Sequence, residues 1–297
     1  MNLGMEEVRS LLEMDEVIEA VERGLADFSS GRVVQPVRTM VPVAEAGGFL
    51  GVMPAYTGAL GVKLVTFFPR NEGIPTHLAT IMLFNPQTGE PLVTMDGTLI
   101  TEVRTAAASA VATRYLARDD ASVLAILGSG VQARSHLEAM RAVRGITDVR
   151  VWSPRNAQVF ARDFGVKAAG SAREAVEGAD IVVTATNSLQ PVLFGEWLKA
   201  GAHVNAVGAN RPDWRELNDE VLRRSRMYVD SRDAARVESG DVIAGDEPFA
   251  EIGEVVTGAK PGRQSAEEIT VFKSLGLAVE DVVTADLVYR KAFSRIP

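Results

Sequence analysis

The chain contains no cysteine, which excludes disulfide staples and thiolate metal sites. Histidine is scarce as well. Only His77, His136 and His203 occur, none close to another in sequence, so no zinc site and no other metal is expected. Basic residues are in deficit: 31 Lys and Arg face 39 Asp and Glu, leaving a net charge of −8. That balance argues against a nucleic-acid partner, because phosphate binding needs a basic face. Long apolar runs are missing, and the N-terminus is acidic where a signal peptide would be basic and then apolar. No membrane segment is expected, and a cytoplasmic location is. Internal repeats and low-complexity tracts are absent too. What is present is a 297-residue chain that is 46% hydrophobic, enough for a large core in one or two domains.

Two textures divide it. Residues 5–29 carry apolar positions at helical spacing and predict two helices ending near Gly31. From 33 to 96, short β-rich runs ("VRTMVPV", "GVKLVTFF", "LATIMLF", "PLVTM") are separated by Gly, Pro and Asn, as strands are. Asn85 to Gly89 predicts a hairpin turn, and an Ala-rich helix follows over 98–118. Beyond Arg118-Asp119-Asp120 the rhythm becomes strand, helix, strand: "SVLAIL", "VQARSHLEAMRAV", "DVRVW", a helix near 156–164, a short helix with a Ser171/Glu174 capping box, then "DIVVTAT", "AHVNAV" and "RMYVDS". Such alternation predicts a parallel sheet with crossover helices over 119 to about 265. The tail "LGLAVEDVVTADLVYRKAF" predicts a helix. The expected class is α/β: a Rossmann-like dinucleotide-binding domain plus an α+β domain.

"LGSGVQA", Leu127 to Ala133, fits G-x-G-x-x-A. Alone the pattern is weak, but here it follows an apolar strand and opens a helix. Gly128 allows the tight turn, Gly130 lets the backbone approach a pyrophosphate, and the helix N-terminus stabilises the anion. The competing reading is a plain glycine turn. The next strand ends at Trp152 and runs into Ser153-Pro154-Arg155-Asn156. An NAD site usually has Asp or Glu here for the ribose 2′-hydroxyl. A hydroxyl and a guanidinium suit a 2′-phosphate, so NADP(H) is preferred over NAD(H). Otherwise Arg155 is a solvated charge at a helix start.

Three cations sit inside apolar patterns. Lys63 in "LGVKLVTFF" shares a strand face with Val65 and Phe67, and a desolvated lysine needs a partner or a lowered pKa. It could equally be an edge-strand lysine that blocks aggregation. Arg104 shares a helical face with Ile100, Ala107 and Val111, with small alanines leaving room for an anion or a structural salt bridge. Arg38 in "PVRTMVPV" is a weaker case. Together the three form a candidate carboxylate clamp. His77 could donate a proton but is read as uninvolved, and His136 and His203 as structural.

The motifs "RTMVPV", "GVKLVTFF", "LITEVRTAAASA", "AILGSGVQARSH", "AVGANRPDWREL" and "TVFKSLGLAVED", in that order, resemble the ornithine cyclodeaminase/mu-crystallin family over nearly the whole chain. "GANRPDWREL" and "TVFKSLG" are most similar to its mu-crystallin branch, whose activity is ketimine reduction. The resemblance implies a homodimer. It implies a substrate-binding and dimerisation domain of residues 1–118 with 270–297, and an NADP-binding domain of 119–269. It assigns the substrate carboxylate to Arg38, Lys63 and Arg104. It assigns the cofactor to Gly128, Ser129, Gly130, Val131, Gln132, Ser153, Arg155, Asn156, Thr184 and Thr186. Val207 and Gly208, at the carboxyl end of the strand before Asn210, are further cofactor candidates, with Gly208 and Ala209 leaving room for the nicotinamide side. Where cyclodeaminases and related alanine dehydrogenases have an aspartate, this chain has Asn210, and an amide cannot accept and return protons at an amine. The expected function is therefore NADPH-dependent reduction of a ketimine bearing an adjacent carboxylate. Pyrroline-2-carboxylate and piperideine-2-carboxylate are candidate cyclic substrates. Lys63 and Asn210 are the expected catalytic residues, with Arg211 bordering the pocket. The rival readings are a cyclodeaminase or amino-acid dehydrogenase, and a non-catalytic NADPH-binding protein. An N-cap or Asx-turn role for Asn210 stays open.

Overall fold

Strand and helix signals sort into two units in the computed structural model, which describes residues 1–293. The first unit is Met1–Arg104 with the chain from Gly276 onward, and the second is Thr105–Leu275. Residues 294–297, which the expected first domain includes, lie outside the described residues.

The first unit is built on β1 (Asn2–Leu3), β2 (Thr39–Val43), β3 (Gly48–Tyr56), β4 (Leu60–Phe67), β5 (His77–Phe84) and β6 (Pro91–Asp96). Their order is β1-β6-β5-β4-β3-β2. β2 to β6 form an antiparallel meander, and β1 joins β6 in parallel. The Asn85 turn closes as its composition requires: the Asn85 side chain accepts from the backbone N–H groups of Gln87 and Thr88 at 2.9 and 3.2 Å, and Gly89 supplies a φ of +76°. Alternation along the strands buries Met53, Ile81 and Met95 on one face, in a cluster with Ala278, Val282 and Ala285 of the helix Ala278–Phe293. Two glycines let that helix come close. A Cβ at Gly61 would meet Val282 at 3.1 Å, and one at Gly24, in the helix Met14–Ser29, would meet Val279 at 3.2 Å.

The second unit holds eight parallel strands: β7 (Val123–Leu127), β8 (Asp148–Trp152), β9 (Lys167–Ala168), β10 (Ile181–Thr184), β11 (His203–Ala206), β12 (Ser225–Val229), β13 (Ala250–Glu251) and β14 (Ile269–Lys273). The order is β13-β12-β14-β11-β10-β7-β8-β9. The central strands are covered on both faces, which is why they read as unbroken apolar runs. From β7 the chain moves to β8 and β9 on one side, then returns to β10 on the other. The glycine loop after β7 therefore sits at the topological switch point, where open α/β sheets bind ligands.

The unit boundaries differ from the expected 118/119 and 269/270. The first falls inside the helix Gly97–Leu116, after Arg104. Side-chain bonds tie the rest of that helix to the second unit. Asn205 Nδ2 donates to Thr113 Oγ1 at 3.0 Å, and His136 Nε2 pairs with Ser109 Oγ at 2.9 Å. Arg144 donates to the carbonyls of Thr113, Arg114 and Ala117, and Arg263 to that of Leu116. These two guanidiniums satisfy the orphan carbonyls of the helix C-terminus and complement its dipole. The second boundary moves to Leu275 because "ITVFK" is a fully buried strand between β11 and β12, not the lead-in to the last helix.

His136 and His203 are buried and bonded within the second unit: His136 to Gln132 O and Ser109, His203 to Thr270 and Asn205. Burial lowers His136 to about 4. Burial, with the Arg263 charge adding to it, lowers His203 to about 3. In the unfolded chain both titrate near about 6.5, so below that pH the unfolded state binds protons the folded state refuses. This contribution to stability is complete above the unfolded value and is lost as pH falls toward 4. Thermal unfolding followed between pH 7 and pH 4 is expected to show a falling Tm, less steep in His136→Gln than in the wild type. Superimposable slopes would remove His136 from the account.

Candidate active site

The alternation of β4 turns Lys63 toward the face that the helix Ala278–Phe293 covers, and only 2% of the residue is exposed. The first turn of that helix delivers Glu280 and Asp281, both fully buried. Lys63 Nζ lies 2.7 Å from Asp281 Oδ2. Arg104, 4% exposed, sets its Nε 2.8 Å from Asp281 Oδ1 and its Nη1 2.6 Å from Glu280 Oε2. Arg38 Nη2 donates to the carbonyl of Gly276 at 2.8 Å. Gly276 adopts a φ of +80°, and a Cβ there would overlap the Arg104 guanidinium. Glycine is thus required both by the turn and by the packed arginine.

The structure therefore brings Arg38, Lys63 and Arg104 together: Lys63 and Arg104 are buried on two carboxylates, and the half-buried Arg38 is near enough for its charge to act on Lys63. Burial, then the adjacent Arg104 charge, lowers the Lys63 ammonium to about 8 against the opposing pull of Asp281. Burial also works against Arg104, but Asp281 and Glu280 outweigh it and hold that guanidinium above its ordinary value. The cations stand out in the sequence; their partners Glu280 and Asp281 do not. The available signal was an acidic pair in the first turn of an otherwise apolar helix. His77 is exposed, with its ring 4.5 Å from that of Phe67.

In the second unit the residues around the glycine loop divide by what they contact. Gly128 has a φ of +126°, and a Cβ on it would overlap Ala185 O; the fold itself requires this glycine. Gly130 caps the helix Val131–Val143, and nothing lies within 4 Å of where its Cβ would be. Packing does not demand a glycine there, whereas a diphosphate against the backbone would. Ser129 Oγ and Ser153 Oγ are 2.9 Å apart, and Ser153 Oγ also accepts from Asn156 N at 3.1 Å. Arg155, Asn156 and Val131 are exposed, and the buried Gln132 Oε1 has no hydrogen-bond partner among the described residues. These donors and the bare helix start fit a dinucleotide phosphate.

Thr184 and Thr186 have a different setting. Their hydroxyls donate to the buried Glu216 at 2.7 Å each, and Thr186 N does the same at 2.7 Å. A Cβ at Gly208 would overlap Thr186 O, and Val207 is buried. Ala209 then takes a φ of +52°, the one left-handed non-glycine among the described residues. It presents Asn210, which is exposed. Such strain is held in place by its surroundings and concentrates at functional sites. Arg211 stacks on Trp214, 4.8 Å from the ring centroid. No helix begins at Pro212-Asp213. Those residues form a turn, and the next helix is Asp219–Arg224, capped by the Asn218 side chain. Glu216, Asp241, Lys273 and Ser274, absent from the expected site residues, are all buried at this end of the sheet. Lys273, embedded in "TVFKS", carries the same signal that singled out Lys63.

Residues 1–295 match the Ornithine cyclodeaminase/mu-crystallin family. Ketimine reductase mu-crystallin of Mus musculus is 52% identical over 301 residues, covering 97% of this chain and 96% of that one. The structure of Thermococcus litoralis Delta(1)-pyrroline-2-carboxylate reductase in complex with NADH and L-proline superposes with a TM-score of 0.94 at 42% identity, over 99% and 98% of the two chains. An archaeal alanine dehydrogenase dimer with bound NAD also gives 0.94, at 39% identity over 99% and 96%. The resemblance read from six motifs thus extends along the entire described chain, which belongs to the ornithine cyclodeaminase/mu-crystallin family.

Proposed function

We propose that this protein is an NADPH-dependent reductase of ketimines that carry a carboxylate on the C=N carbon, cyclic imines such as pyrroline-2-carboxylate among them. The observation that carries the reading is the buried cluster of Lys63 and Arg104 on Glu280 and Asp281, with the half-buried Arg38 beside it. Guanidinium groups bind a carboxylate in a fixed orientation. The names of the relatives support the same class: a ketimine reductase, and a pyrroline-2-carboxylate reductase in complex with NADH and L-proline.

The bound nicotinamide supplies the hydride for the imine carbon. The chain's own residues do the rest. Arg38 and Arg104 hold the carboxylate, and Lys63, lowered to about 8, is a proton source near neutral pH. Asn210 orients without titrating, which favours reduction of a preformed imine over cyclodeamination. Gly128, Ser129, Gly130, Val131 and Gln132 would hold the diphosphate, and Val207 and Gly208 the nicotinamide side. Ser153, Arg155 and Asn156 would hold the adenosine 2′-phosphate, so NADPH is the expected partner although the two solved relatives carry NADH and NAD. Thr184 and Thr186 act in this reading through Glu216, and Arg211 borders the imine.

We also propose a homodimer, the arrangement named for the archaeal relative. The sheet face opposite the helix Ala278–Phe293 carries Val41, Leu50, Val52, Tyr56, Leu64 and Leu78, all exposed or half-exposed. A continuous apolar face of this kind is better covered than solvated. No helix of the described residues is long and apolar enough to cross a membrane.

Four measurements test these readings. NADPH oxidation with preformed pyrroline-2-carboxylate should proceed readily, and ammonia release from ornithine without net NADPH turnover would sink the proposal. The kcat/KM for the imine should fall as pH rises through about 8, with that limb absent in Lys63→Arg, because kcat/KM reports the free enzyme. Gly130→Ala should keep the wild-type Tm and lose NADPH affinity, whereas Gly128→Ala should lose stability, and Arg155→Ala should weaken NADPH about tenfold or more while sparing NADH. Equal loss for both nucleotides would remove the 2′-phosphate assignment. In light scattering, Leu64→Arg should convert a dimer to a monomer, and a monomeric wild type would end the dimer proposal.

A further inference from the structure

Three charged residues are fully buried at one end of the second unit's sheet, and of them only Glu216 has entered so far, as the partner of Thr184 and Thr186. Lys273 closes β14, Asp241 lies in the first turn of the helix Gly240–Ile243, and Glu216 follows the Asn210 corner. They form a continuous chain of contacts. Lys273 Nζ donates to the carbonyl of Gly208 and lies 3.4 Å from Asp241 Oδ2. Asp241 Oδ1 accepts from the backbone N–H groups of Glu216 and Leu217 at 3.1 and 3.0 Å. Glu216 in turn accepts from Thr184 and Thr186. Burial pushes the Glu216 carboxyl up, while Lys273 and the threonine donors work against that shift.

This chain closes around the strained corner. Gly208 is held on both sides: its N–H donates to Thr184 O at 3.3 Å and its carbonyl accepts from Lys273. Arg211 is held by its carbonyl, which accepts from Gly240 N at 3.0 Å. Only Ala209, with its φ of +52°, and Asn210 lie between these anchors. A buried ion network is a poor source of net stability, because apolar residues of similar volume often stabilise as well or better. What it does provide here is a fixed geometry for a backbone that sterics alone would not favour.

We infer that Lys273, Asp241 and Glu216 are positioning residues that hold the Gly208–Asn210 corner in the conformation hydride transfer requires. The inference rests on the ketimine reductase reading, and it assigns these residues no contact with the imine or the nicotinamide. Hydride transfer is sensitive to alignment, and a misplacement of about 1 Å costs on the order of a hundredfold in rate. Loosening the corner should therefore lower kcat and leave the affinity of the remote diphosphate and adenosine contacts intact.

The test uses the full chain with Glu216→Gln, Lys273→Arg and Lys273→Met. Glu216→Gln keeps an acceptor for the threonines and is the variant expected to fold. Its kcat with pyrroline-2-carboxylate should fall about tenfold or more, with the NADPH Kd within about twofold of wild type. The primary isotope effect with NADPH deuterated at the transferred C4 position should rise, and Lys273→Arg should retain more activity than Lys273→Met. Hydrogen exchange with NADP+ present should quicken at residues 207–212 and stay unchanged in β7 and β10. Wild-type exchange at 207–212 in Glu216→Gln would overturn the inference. So would a kcat loss that only tracks the folded fraction with an unchanged isotope effect. If the wild type reduces no ketimine, the functional reading fails, and the exchange comparison alone then decides whether the network holds the corner.

Discussion

Asp281 bridges Lys63 and Arg104 in the dry interior of the first unit, and the proposed chemistry depends on that bridge. Taking Lys63 and Arg104 out of water is unfavourable unless anions accompany them. Two carboxylates from the first turn of the last helix, Glu280 and Asp281, meet that need. Arg38 stays half-buried at the edge of the same cluster. The same arrangement sets the Lys63 ammonium between two pulls, with burial and Arg104 lowering it and Asp281 holding it up. A lysine that titrates near neutrality follows from this, with no special residue brought in for the purpose.

The second unit solves a different problem with similar means. Its parallel sheet converges at the switch point after β7, where Gly128 is demanded by Ala185 and Gly130 by no packing contact among the described residues. That contrast marks Gly128 as a glycine of the fold and leaves Gly130 for the proposed cofactor. Next to it, buried charge fixes backbone instead of attracting substrate: Glu216, Asp241 and Lys273 surround a left-handed alanine and the exposed amide beyond it. Burial of charge in one unit thus gathers the proposed carboxylate site, and in the other it is proposed to hold a backbone template.

Much of this was legible in the sequence because the decisive signals are local. Lys63 and Arg104 interrupt apolar patterns, the glycine loop sits between strand and helix, and the Asn85 turn has its own chemistry. What escaped was pairing across distance. Glu280 and Asp281 sit unremarked in the last predicted helix, and only the fold puts them on cations far away in sequence. The strand "ITVFK" was hidden because a short apolar run next to a helix carries no period of its own. The first unit boundary left no compositional trace, since a single Ala-rich helix serves both units and the switch depends on Asn205, Arg144 and Arg263. Thr184 and Thr186, which the resemblance places along the dinucleotide cleft, give their hydroxyls to Glu216, a partner no spacing rule points to.

The central claim is that the cluster of Arg38, Lys63 and Arg104, centred on a lysine poised near pH 8, receives the substrate carboxylate. Calorimetry of pyrrole-2-carboxylate binding at pH 8, in two buffers of different ionisation enthalpy, tests it most directly. An anion arriving beside Lys63 raises its pKa, so the account predicts net proton uptake on binding, abolished in Lys63→Met. Binding with no proton uptake, or with uptake unchanged in the variant, would contradict it.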